Sequence, residues 1–164
     1  MRAITSTAAI LVIALCIGCA AHYPVSRDSQ KLFAYDFSLP GKSKSELWKT
    51  ARNFFAEKYG DSRTVFRVMD EQDGTLLGKG VVTWNIVSGS TGAPCITNYH
   101  IRFAAKDDKA RLQFELIEGS DGCPYYYLPP QKNYDEIVNN FSTIAAELKM
   151  ALSGKPTPDS FKDF

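Results

Sequence analysis

Few side chains in this sequence can do acid–base, nucleophilic or metal chemistry. Two histidines, His22 and His100, occur in 164 residues, so a histidine-based hydrolase or an imidazole metal site has little to draw on. The strand register worked out below sets His100 opposite Glu115. That pair has the makings of a proton relay, but on a half-exposed sheet it is first of all a cross-strand contact. Asp70, Glu71 and Asp73 cluster in one turn, yet the remaining oxygen ligands of a calcium loop are missing around them, which leaves a solvated turn. Ser88-Gly89-Ser90-Thr91-Gly92 is glycine-rich like a phosphate cradle, but neither the lysine nor the helix of such a loop follows. No Ser–His–Asp or Cys–His set is supported. The expectation is a protein that is not an enzyme, with no catalytic residue, no metal and no cofactor.

The four cysteines carry more information. Met1-Arg2 supplies a positive end, and 3–17 is an almost purely apolar run, too short for a membrane span of about 20 residues but suited to an export signal. It ends in Cys16-Ile17-Gly18-Cys19-Ala20, which resembles the bacterial lipoprotein lipobox, with Cys16 standing where leucine is usual. The resemblance implies that 1–18 is a lipoprotein signal peptide and that Cys19 becomes an acylated N-terminus. Acyl chains such as palmitate would then hold the protein at the membrane, each buried CH₂ contributing about 0.8 kcal/mol. An ordinary cleaved signal, cut after Ala20 or Ala21, is the alternative. Ala20, where an aspartate would favour the inner membrane, implies outer-membrane sorting with the domain facing the periplasm, surface exposure remaining open. With Cys16 lost and Cys19 lipidated, Cys95 and Cys123 are left. In an oxidising compartment two leftover cysteines read as one disulfide.

Composition narrows the class further. The chain carries 19 basic and 18 acidic side chains, and losing Arg2 with the signal balances them. A balanced chain lacks the concentrated basic surface of a phosphate-neutralising protein, so nucleic acid is excluded as a partner. Hydrophobic residues at 45% and aromatics at 12% suffice for one packed domain.

The elements that must position these residues follow from periodicity. After a tether over 19–30, residues 31–39 alternate as a strand closed by Pro40-Gly41. Ser43 and Glu46 have capping-box spacing, and Leu47, Ala51, Phe54 and Phe55 mark one helix face, flanked by Trp48 and Tyr59, before Gly60. Strands follow over 63–69, 75–87, 95–105 and 110–117. Gly78 and Gly80 mark a bulge or close backbone approach in the second of these. A two-residue turn at Asp107-Asp108 makes facing residue numbers sum to 215, which sets Phe103 opposite Leu112, Ile101 opposite Phe114 and His100 opposite Glu115. One face is then apolar and the other polar, as a sheet covered on one side requires. The same rule sets Cys95 opposite Ser120, so that a turn at Asp121-Gly122 brings Cys123 back toward Cys95. Asn133 and Glu136 have capping-box spacing before a last helix with the stripe Ile137, Phe141, Ile144, Leu148 and Leu152. Residues 154–164 read as a mobile tail, leaving 31–153 as the domain.

This strand–helix–four strands–helix order is that of one repeat of the TATA-binding-protein fold. The sequence also resembles a bacterial family of exported lipoproteins known as a domain of unknown function with TBP-like fold. Leu47-Trp48-Lys49 through Phe55, Leu77-Gly78-Lys79-Gly80, and Lys106-Asp107-Asp108-Lys109-Ala110-Arg111 carry the likeness. Asp108 and Ala110 depart from it, since the family usually has glycine as the second turn residue and an aromatic before the arginine. The resemblance implies an α+β fold, an antiparallel sheet with two helices packed on one face. Architecture alone implies no DNA binding.

Two surfaces remain as candidate partner sites. The open sheet face should display Lys79, Val81, Thr83, Asn85, Asn98, His100, Arg102, Arg111, Gln113 and Glu115, either merely solvated or a docking surface. The segment Pro124-Tyr125-Tyr126-Tyr127-Leu128-Pro129-Pro130 offers aromatics with polar tips, a composition enriched at interfaces. The alternative is that Tyr125, Tyr126 and Tyr127 fold back over the sheet edge or the second helix. The leading expectation is a membrane-anchored envelope lipoprotein presenting a non-enzymatic interaction or structural module to another envelope protein. The rival is a carrier of a small apolar ligand or lipid between sheet and helices, which needs a cavity of about 300 Å³ or more.

Overall fold

The computed structural model describes residues 28–59, 65–85, 94–123 and 128–155. The proposed signal peptide, Cys19, most of the tether and Tyr125, Tyr126 and Tyr127 lie outside them. Alternating apolar residues build β1 (Leu32–Ser38), β2 (Phe66–Asp70), β3 (Thr75–Trp84), β4 (Cys95–Lys106) and β5 (Lys109–Asp121). The 3.6-residue patterns build α1 (Lys44–Tyr59) and α2 (Gln131–Leu152). The strands form one antiparallel sheet in the order β1-β5-β4-β3-β2, so β1 and β2, adjacent in sequence, are opposite edges bridged by α1.

Both helices lie on one face, and the layer between is filled with aromatic rings. Phe114 of β5 stacks on Phe141 of α2 at 4.3 Å between centroids, and Tyr99 meets the same ring edge-on at 5.0 Å. Phe55 of α1 packs on Phe66 of β2 at 5.1 Å. All five residues of the expected α2 stripe are buried. Truncating a buried ring such as Phe141 to alanine costs about 3–5 kcal/mol in cores of this kind.

Two glycines in β3 answer to close approaches. A Cβ on Gly78 would lie 2.6 Å from the Val65 carbonyl oxygen, beside the bulge that shifts the β2–β3 register between Phe66 and Val68. A Cβ on Gly80 would lie 2.3 Å from Cζ of Tyr99, whose ring lies across the strand.

The caps differ from expectation. Ser43 Oγ does accept the Glu46 N–H at 3.2 Å, but the Glu46 carboxylate turns to Lys42 instead of closing the box. The second cap comes from far away in sequence: Asp107 Oδ1 accepts the Lys44 N–H at 2.7 Å. Asp108 has φ +65°, a left-handed conformation that favours glycine. Its Oδ1 accepts the Gly41 N–H at 2.7 Å, which ties the hairpin turn to the start of α1. The expected capping box at Asn133 and Glu136 is not formed. The helix begins three residues earlier, after Pro130, with no side-chain cap. Pro129 and Pro130 hold the chain extended up to that point, and the first turn closes through the Tyr134 N–H to the Pro130 carbonyl at 2.9 Å.

Candidate functional site

The face of the sheet opposite the helices is built by strand parity. Even positions of β3 and odd positions of β4 point into the core, so their alternates point outward, and nine of the ten residues expected on the open face occupy it, while Asn85 lies just past the end of β3. Between Tyr99 and Lys106 the β4–β5 register follows the sum of 215, including the like-charged pair Lys106 and Lys109. Beyond Tyr99 it departs. A bulge on the β5 side, with Gly119 at φ +95°, shifts the ladder by two residues, so Thr97 rather than Cys95 faces Ser120. The Asp121-Gly122 turn, with Gly122 at φ +81°, still returns Cys123 to Cys95, and the two form a disulfide at a Cα separation of 5.4 Å. It packs on Trp84. The Trp84 indole N–H donates to Thr97 Oγ1 at 3.0 Å, and Thr97 and Ser120 hydroxyls meet at 3.1 Å. This buried polar chain was not anticipated. The odd-position Thr97 in an otherwise apolar run was its one sequence signal.

On the open face His100 and Glu115 are neighbours, with Nδ1 to Oε2 at 3.6 Å. The same carboxylate oxygen accepts from Arg102 Nη2 at 2.8 Å. Glu115 is therefore shared between Arg102 and His100, and both members of the His100–Glu115 pair are part exposed. Arg111 grips Asp36 through two bonds, Nε to Oδ1 at 2.6 Å and Nη2 to Oδ2 at 2.8 Å. The Arg111 hydrogen bond holds the Asp36 carboxyl below its ordinary range and raises the guanidinium's own affinity for its proton. Large apolar side chains share this face: Leu32, Val68, Leu77 and Val81 are exposed, Val81 at 62%.

Near the β4–β5 hairpin this face carries an open depression of about 670 Å³, lined among others by Asp36, Ser38, Ala104, Lys106, Lys109 and Arg111. It lies on the opposite side of the sheet from the ring-filled layer, where the carrier alternative would need its cavity. The acidic turn 70–74 is engaged with α1. Glu71 accepts from Ser45 Oγ at 2.7 Å and pairs with Lys49 at 3.1 Å. The Ser45 bond and then Lys49 lower its carboxyl's pKa. Among the described residues no group of three or more potential ligands gathers to hold a metal ion. Tyr59 and Tyr99 face each other through their hydroxyls at 3.5 Å in the core. Burial, with its partner's hydroxyl second, pushes the Tyr59 phenol far above its ordinary range.

These features define a class: α+β domains that cover one face of an antiparallel sheet with two helices, the other face carrying none of the described helices. Residues 33–119, just over half the chain, match the family described as a domain of unknown function (DUF4468) with TBP-like fold, and the chain belongs to that family. Its fold is similar to that of a DUF4468 family protein from Bacteroides ovatus, with a TM-score of 0.50 and 15% identity, covering 84% of this chain and 94% of that one. A TBP-like protein from Parabacteroides distasonis aligns with a TM-score of 0.42 and 15% identity over 51% of this chain, which spans about half, 53%, of that protein's length. No curated protein matches the chain in sequence.

Proposed function

We propose that this protein is a lipoprotein of the cell envelope, acylated at Cys19 and held at the outer membrane on its periplasmic side. Its domain is a non-enzymatic interaction module that engages another envelope protein through the open sheet face. One observation supports this most. Among the described residues the five-stranded sheet has one face without helices, and that face mixes exposed apolar side chains with arginines already oriented by Asp36 and Glu115. Apolar anchors beside pre-oriented charges are what protein interfaces use. Tyr125, Tyr126 and Tyr127 are, by composition, a second proposed contact with the partner.

Two measurements test the two halves of the reading. Labelling cells with a fatty-acid analogue should mark the wild type and spare Cys19→Ala. Equal labelling of both refutes the anchor. A photo-crosslinking residue at Val81 should trap one discrete partner in intact cells, whereas the same residue at Asn140, exposed on α2, should not. Identical products from both positions refute the open face as the contact surface.

A further inference from the structure

The depression beside the β4–β5 hairpin carries an excess of positive charge, with Lys106, Lys109 and Arg111 against Asp36 and Asp108 in its lining. Lys106 and Lys109 stand directly opposite each other as the last pair of the ladder. Like charges in that position destabilise a sheet, and neither ammonium has an acidic partner among the described residues. The two nearest acids in sequence bond to backbone: Asp107 Oδ1 accepts from Lys44 N–H and Asp108 Oδ1, although Asp108 also lines the depression, from Gly41 N–H, each at 2.7 Å. The third cation, Arg111, spends Nε and Nη2 on Asp36. Its Nη1 keeps its donors, and the bidentate grip fixes where they are. Ala104 and Ser38 are too short to fill the space between these cations, which leaves the depression of about 670 Å³, within the size range of ligand sites.

We propose that this depression receives the carboxylate of an acidic peptide segment of the partner protein, with Lys106, Lys109 and Arg111 as its cationic contacts. The proposal rests on the open face being a docking surface and adds the chemistry of what docks there. A peptide is favoured over a lipid headgroup by shape and by surroundings. The cations flank a recess floored by short side chains, which a flat array of phosphates does not enter. Beside it runs a row across the sheet, Ala34, Gln113, Arg102, Leu77 and Val68. A half-buried amide and exposed aliphatic side chains in one line suit the side chains of an extended polypeptide.

The test is an NMR titration of the full mature chain. The probe is a nonapeptide of alternating glutamate and leucine, with its glutamine analogue, inorganic phosphate and phosphatidylglycerol vesicles as comparison arms. The glutamate peptide should shift the amides of Ala104, Lys106, Lys109 and Arg111. Raising salt, or the double substitution Lys106→Gln with Lys109→Gln, should weaken it roughly three- to tenfold, as two partly exposed ion pairs would. The double variant should melt no lower than wild type, because it removes a like-charge pair. Equal binding of the glutamine peptide overturns the proposal, as does binding of phosphate or vesicles without the peptide. Peptide shifts confined to Leu77 and Val81 overturn it while sparing the open-face reading. Shifts confined to α1 and α2 overturn both.

Discussion

Reducing the Cys95–Cys123 bond should cost this domain a large part of its stability. The bond closes a loop over a sequence separation of 28, and cross-linking a loop of that length removes about 3.5 kcal/mol of chain entropy from the unfolded state. Small domains are stable by only about 5–15 kcal/mol in total. For a domain of this size, with about 4 °C lost per kcal/mol, the midpoint of thermal unfolding should fall by roughly 10–15 °C. Both sulfurs are buried against Trp84, so two comparisons separate the crosslink from the packing. Reduced wild type loses the crosslink alone. The Cys95→Ala, Cys123→Ala pair also leaves a small void beside the indole and should lose about 1 kcal/mol more. Urea unfolding followed by circular dichroism and by tryptophan fluorescence measures both, and the slope with denaturant should steepen once the unfolded chain is free to expand. Stability that changes by less than about 1 kcal/mol on reduction would refute the entropic account. Two alkylatable thiols in the native, oxidised protein would refute the bond itself.

Three further outcomes are expected. Gly80→Ala should destabilise by about 1–3 kcal/mol in chemical denaturation, because its Cβ would meet the buried Tyr99 ring at 2.3 Å and overpack it. The same change in a Tyr99→Leu background should cost far less, and equal costs in the two backgrounds would show that the ring is not the obstacle. Asp36 and Glu71 have depressed carboxyl pKa values, so their contribution is present above the unfolded carboxylate pKa of about 4 and is lost as pH falls through the folded value. The gap in melting temperature between wild type and Asp36→Asn or Glu71→Gln should therefore close on acidification. A gap that persists at low pH would refute those pairings. Asp108→Ala should destabilise by about 1–2 kcal/mol in the same denaturation assay, since it keeps φ positive without glycine and removes the bond to Gly41. Asp108→Gly, which relieves the backbone while losing that bond, should fall between Asp108→Ala and wild type, and the reverse ranking would refute the trade.

Local pattern alone was enough to read the order of elements, the two helix faces and the register of the β4–β5 hairpin. Each depends on neighbours a few residues apart: a 3.6-residue stripe such as Ile137, Phe141 and Ile144, or a two-residue turn whose alternation leaves one self-consistent pairing. The same register placed His100, Arg102, Arg111, Gln113 and Glu115 on one open face. Tertiary structure decided what needs partners distant in the chain. β1 lies beside β5, with Leu32 opposite Glu115, because α1 carries the chain across the whole sheet, and nothing within β1 encodes its neighbour. Asp107 caps α1 from a hairpin 63 residues later, which is why the helix could leave its own capping box half made. The two-residue slip between Thr97 and Tyr99 was hidden because a bulge is a local exception to alternation, set here by Gly119 and the buried hydroxyls of Thr97 and Ser120. The depression between Lys106, Lys109 and Arg111 is likewise an absence of side chain in three dimensions. Sequence shows the lysines and the alanine, but only packing shows that nothing fills the space between them.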